Sequence, residues 1–175
     1  AVLWKVGDGL SQTQHVRVSH DSSGTWEPQK TVTDGVNSSG GLGDIAIVGS
    51  SLVVLYADAS DAKATTSTDW GDTWGNVASL ASDPSLGFYH MRGLAASGGA
   101  VLAHVAGNTS AEHIVAGSGD DGLTWAQRTG PTADAGAILG DIALSGTWGF
   151  MMWDSASQLH YTTSVDGGLT WGAPE

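Results

Sequence analysis

Aspartate is the most regularly spaced residue with chemical potential in this chain. Asp21, Asp69, Asp120 and Asp166 each stand third in an octapeptide that opens on serine and closes on tryptophan: Ser19–Trp26, Ser67–Trp74, Ser118–Trp125 and Ser164–Trp171. The seventh place is always threonine, and the fifth is Gly71, Gly122 or Gly168, with Ser23 in the first copy. A carboxylate so placed could ligate a cation or accept N–H groups of its own turn, and turn chemistry already explains the spacing. Asp and Gly between β-prone residues mark a hairpin turn, and glycine supplies positive φ without strain. The four aspartates and Trp26, Trp74, Trp125 and Trp171 are therefore read as structural, each indole offering an apolar face to a neighbouring hairpin. The six histidines show no metal-ligand spacing, and residues 38–43 lack the lysine and helix of a phosphate cradle. Without cysteine there is no thiolate site or disulfide framework, and neither metal nor cofactor is expected.

These turns need strands to hold them. The octapeptides recur at roughly fifty-residue intervals, which marks a repeat architecture, with units near 1–35, 36–84, 85–133 and 134–175. Two apolar or alternating runs precede each turn: 1–6 with 14–18, 51–56 with 62–66, 100–105 with 112–116, and 148–153 with 158–163. A short inner run precedes three of those pairs, at 44–48, 93–96 and 141–144. A more polar run comes after each of the first three turns, as at 27–32. Residues 77–81 fit an outer strand or loop better than a turn of helix. Short β-branched runs between Gly, Asp and Ser turns predict antiparallel sheet throughout.

The pattern S-x-D-x-G-x-T-W resembles the Asp-box, or BNR repeat, of sialidases and related β-propellers. Three copies match at every defined position and the first misses one, so the resemblance covers nearly the whole chain. It implies an all-β propeller of four-stranded antiparallel blades, about four of them here. The first unit lacks an inner strand and the last, ending at residues 172–175, has little outer strand. Three arrangements stay open: part of a propeller of six or more blades, which is favoured, an assembling fragment, or a compact ring of four. Open β edges favour self-association in the last two.

The resemblance also implies where a ligand sits, on the face carrying the starts of the inner strands and the loops between second and third strands. The first set comprises Asp44, Arg92 and Asp141 as candidate catalytic residues, preceded by Gly43, Met91 and Gly140. The second comprises Asp8, Asp58, Asn108 and Asp154, with Trp4, Tyr56, His104 and Trp153 behind them; His90 stands beside Arg92. Asp8, Tyr56, Asp58, His90, Trp153 and Asp154 are the candidate ligand-binding residues. Carboxylates beside aromatics suit a carbohydrate, since indoles stack on apolar sugar faces. Two carboxylates flanking a glycosidic bond could act as acid and base, and their separation would set the stereochemistry. The same aspartates could equally serve tight turns. Sialidases grip the substrate carboxylate with three arginines, whereas this chain offers Arg17, Arg92 and Arg128, of which Arg92 alone is well placed. His15 and His160 read as residues of a solvated strand face.

Composition narrows the partners. Eighteen acidic against six basic side chains give a net charge of −12, which excludes a basic nucleic-acid footprint and disfavours anionic membranes. No apolar run is long enough to span a membrane. The chain opens on Ala, so a removed leader or a longer parent is expected, and the acid-rich surface suits a secreted or extracellular setting. The expected function is carbohydrate-related, sialidase-like or of another glycoside-hydrolase type. The alternatives are a glycan- or protein-binding propeller of a cell surface or phage fibre, and a self-assembling scaffold.

Overall fold

The computed structural model describes residues 1–8, 11–36, 43–82, 89–107, 113–130, 140–155 and 158–175. Fourteen strands form four antiparallel sheets in chain order, and no helix occurs among the described residues. The first sheet holds β1 (Val2–Asp8), β2 (Ser11–Arg17) and β3 (Lys30–Val36). The second holds β4 (Asp44–Val48), β5 (Ser51–Asp58), β6 (Asp61–Ser67) and β7 (Gly75–Ser82). The third holds β8 (Tyr89–Ser97), β9 (Ala100–Gly107), β10 (His113–Ser118) and β11 (Ala126–Arg128). The fourth holds β12 (Gly140–Ser145), β13 (Trp148–Ser155) and β14 (Gln158–Ser164). Each sheet pairs its strands in sequence order, as short hairpins dictate.

The octapeptides lead out of β2, β6, β10 and β14, and one hydrogen-bond scheme repeats in all four. In the third copy Ser118 Oγ donates to Asp120 Oδ1 at 2.7 Å and accepts the Gly122 N–H at 3.0 Å. Asp120 Oδ1 accepts the Thr124 N–H at 2.8 Å, and Oδ2 accepts the Thr124 hydroxyl at 2.6 Å. These donors, Thr124 foremost, hold the Asp120 carboxyl down at about 2, and Asp21, Asp69 and Asp166 are lowered alike. Two successive left-handed residues close each turn: Ser22–Ser23, Trp70–Gly71, Asp121–Gly122 and Gly167–Gly168.

Sheets pack face to face in chain order. Val16 and Val18 of the first meet Leu52, Val54 and Tyr56 of the second. Leu55 and Ala64 of the second meet Ala103 and Val105 of the third, with Val53 against Val101 alongside. Leu102 and Val115 of the third meet Met151 and Trp153 of the fourth. Trp74, Trp125 and Trp171 each join the cluster with the preceding sheet, whereas Trp26, with no preceding sheet among the described residues, stays 39% exposed.

Residues 77–81 lie inside β7, the outer strand of the second sheet, in keeping with the sequence reading. Other expectations shift. The outer strand of the first unit begins at Lys30 rather than residue 27, because Glu27 N–H goes to the Val18 carbonyl and Pro28 has no N–H to offer a ladder. The last unit has three strands, as expected, and its tail lies along β14, where Glu175 and Tyr161 exchange backbone hydrogen bonds at 3.0 and 3.1 Å and Gly172 N–H reaches the Thr163 carbonyl. His15 is buried rather than solvated, its Nδ1 accepting the Gln29 side-chain N–H at 3.0 Å and its ring lying against Trp4.

Candidate functional site

The site begins with an irregularity in β8. Met91 pairs with Val105 and Gly93 with His104, which leaves Arg92 as an extra, unpaired residue of the bulge. Gly93 is constrained from across the boundary, since a Cβ there would lie 2.8 Å from Asp141 Oδ1. Met91 and Arg92 line a cavity of about 410 Å³ with Gly140 and Asp141 of β12, Met152, Trp153 and Asp154 of β13, and Leu159 of β14. Met91, Met152, Trp153 and Leu159 supply apolar surface, while Arg92, Asp141 and Asp154 supply charge of both signs. Burial lowers the Arg92 pKa, and the Asp154 carboxylate opposes that shift; the guanidinium stays charged.

Behind the cavity wall stands a column of rings. Trp153 packs against His113 at a centroid distance of 5.4 Å and His160 at 5.9 Å. His113 Nδ1 and His104 Nε2 share a hydrogen bond of 2.7 Å. Burial, then the His113 and Arg92 charges, lowers the His104 pKa to about 3; burial, then Arg92, lowers that of His113 to about 4. Both rings are therefore neutral near neutrality, one nitrogen of the shared bond donating and the other accepting. A Cβ at Gly140 would meet His104 Cε1 at 2.8 Å, so the column also closes against β12.

The candidate residues separate into two groups. Arg92, Asp141, Trp153 and Asp154 come together at this cavity. Asp44 lies on the second sheet, one sheet away, with Oδ1 on the Ile45 N–H and Oδ2 on the Leu94 N–H, both at 2.8 Å. Asp58 sits 2.7 Å from Lys63 Nζ, and Tyr56 is buried between the first and second sheets, which raises its phenol pKa. His90 is half-buried on β8 beside Met91, outside the cavity lining. Asp8 ends β1 opposite Ser11, and Asn108 lies outside the described residues. Arg17 on β2 and Arg128 on β11 do not line the cavity. Sequence reasoning missed Met152, Leu159 and His113; only the alternation of β13 and β14 could have placed the first two on one face. No group of three or more metal-ligating side chains occurs among the described residues.

No protein-family profile matches this chain, and no curated protein sequence matches it. Solved structures do. The chain aligns over 95% of its length with Trypanosoma rangeli sialidase in complex with the inhibitor DANA, at a TM-score of 0.62 and 14% identity, covering 33% of that chain. It aligns over 87% with a NanB sialidase variant from Streptococcus pneumoniae, TM-score 0.56 and 16% identity, covering 26% of that chain. A third match is the Hadza microbial sialidase Hz136, TM-score 0.56 and 16% identity, covering 94% of this chain and 36% of that one. The chain thus spans about a third or less of these proteins' length, and the likeness shows a sialidase-like propeller fold.

Proposed function

We propose that this chain is a set of consecutive Asp-box blades from a sialidase-like propeller of glycoside-hydrolase type, and that the cavity between its third and fourth sheets engages a carbohydrate. The observation that carries the reading is the convergence of Arg92, Asp141 and Asp154 on one cavity with a wall of Trp153, Met152 and Leu159. Charged groups of both signs can hydrogen-bond sugar hydroxyls or a sugar carboxylate, while apolar side chains cover a ring face. The repeated turns, with their Ser–Asp–Thr bonding, support the Asp-box identity of the scaffold. Asp141 is the acid/base candidate, and Arg92 orients the ligand. An acid-rich surface goes with a secreted or extracellular setting, and no described helix is long and apolar enough to cross a membrane.

The test is glycan-array binding together with hydrolysis of aryl glycosides, sialosides included. Arg92→Ala should abolish binding, and Asp141→Asn should abolish turnover with binding retained. Absence of any glycan signal for a folded chain would sink the reading. A second reading, glycan binding without catalysis, is favoured by one fact: Asp44 Oδ2 is committed to the Leu94 N–H, leaving it poorly disposed as a second catalytic carboxylate. In that case Leu159→Ser weakens binding and no variant changes a turnover that was never there.

A further inference from the structure

The chain holds three methionines and no cysteine, so thioethers are its only sulfur. Two of the three, Met91 and Met152, line the cavity between the third and fourth sheets. They reach it from different strands. Met91 lies at the bulge of β8, paired with Val105, and packs in part against the core between the second and third sheets. Met152 comes from β13, opposite Asp141 of β12 and Tyr161 of β14. Both are half-buried and meet solvent through the cavity.

The third methionine is an internal control one residue away. Successive side chains of a strand point to opposite faces, so Met151 turns into the core with Leu102, Val115 and Trp153. It is fully buried and does not line the cavity. β13 thus sets two adjacent thioethers in opposite surroundings, one closed off from solvent and the other facing it.

No thiolate competes for an oxidant in this chain, and a hydroperoxide converts methionine to its sulfoxide. The sulfur lone pair attacks a peroxide oxygen, so that an S–O bond forms as the O–O bond breaks. Sulfur gives up two electrons to the peroxide. The proton of the transferred oxygen leaves with the departing oxygen as water or an alcohol. A flexible apolar side chain becomes a polar one that accepts hydrogen bonds.

We propose that Met91 and Met152 form a paired oxidation site, and that hydroperoxides weaken ligand binding in the cavity by turning both into sulfoxides. Two patches of its apolar wall then carry S–O dipoles. Arg92, in the same lining, meets a new acceptor that competes with a ligand for its N–H groups. The oxidation needs only the cavity; the loss of binding rests in addition on the carbohydrate reading.

The test exposes the folded full chain to hydrogen peroxide and locates each added oxygen by fragment-ion mass spectrometry, which separates Met151 from Met152. Met91 and Met152 should oxidise several-fold faster than Met151, and all three should react alike in urea. Equal rates in the folded chain, or Met151 leading, would overturn the proposal. A second arm applies the chain to a glycan array before and after oxidation, with a several-fold fall in signal expected. A Met91→Leu, Met152→Leu double variant should keep its own starting signal through the same treatment. An equal fall in that variant, or undiminished binding by a parent carrying both sulfoxides, would also overturn the proposal. Absence of glycan signal from either form would sink the carbohydrate reading alone, and the order of oxidation would still decide whether the pair is the modified site.

Discussion

β5 and β13 hold the same place in their sheets and live in opposite surroundings. β5 is buried along its whole run from Ser51 to Ala57, because the first sheet covers one face and the third covers the other. β13 buries Gly149, Met151 and Trp153 toward the third sheet but leaves Trp148 and Phe150 in water. The comparison teaches that these sheets are stabilised by their neighbours, turn by turn, and that a strand's hydrophobicity does not report how many neighbours it has. It also explains the tryptophans: among the described residues, Trp74, Trp125 and Trp171 have a preceding sheet to pack on, and Trp26 does not.

The comparison can be broken hardest at the turn glycine that meets the preceding sheet. Gly122→Ala sets a Cβ against Val53 in a left-handed residue, and the loss should reach about 3 kcal/mol from overpacking and strain together. The neighbouring-turn control, Gly167→Ala, has the same backbone sign at φ 72° and open space around it, and should cost only about 1 kcal/mol. Urea denaturation of both variants reads the difference; equal losses would mean that close approach contributes nothing.

The tryptophans sharpen it at a similar scale. Trp125→Ala should destabilise by roughly 3 kcal/mol, as large-to-small changes at packed aromatics do, while Trp26→Ala should stay within about 0.5 kcal/mol. Thermal melts of the pair decide whether packing between sheets or the turn itself carries the contribution.

Acid separates the buried histidine column from the exposed turns. His104 and His113 titrate at about 3 and about 4 in the fold against an ordinary 6.5, so the unfolded chain takes up protons first. Their contribution to stability is complete above pH 6.5 and is lost as pH falls toward the folded values. The turn aspartates, lowered from 3.8 to about 2, hold their contribution down to pH 3.8 and lose it below. A His104→Leu, His113→Met double variant should flatten the urea midpoint between pH 6.5 and 4 and leave the steeper fall beneath it. An unchanged slope above pH 4 would show that the pair is not buried neutral. The smallest effect belongs to the open face, where Trp148→Thr should alter stability by no more than about 0.5 kcal/mol.

Much of this was legible in the residues. The octapeptide spacing gave four units, the apolar runs gave eleven of the fourteen strands among the described residues to within a few residues, and Ser, Asp and Thr prescribed a turn whose bonds are local and need no neighbour. Asp141 and Asp154 could be singled out because they lie beside strand ends, where side chains meet solvent, whereas Arg92 and Trp153 were placed only by the topology that the repeat implies. Local chemistry could not show that Asp44 would be spent on Leu94, that Arg92 would be the extra residue of a bulge, or that His104 and His113 would pair behind Trp153. Each of those depends on a residue from another strand or another sheet, at a distance fixed only when faces pack. Hydrogen bonds within a turn are decided by sequence separation; those across a sheet boundary are decided by what the packing buries and must satisfy.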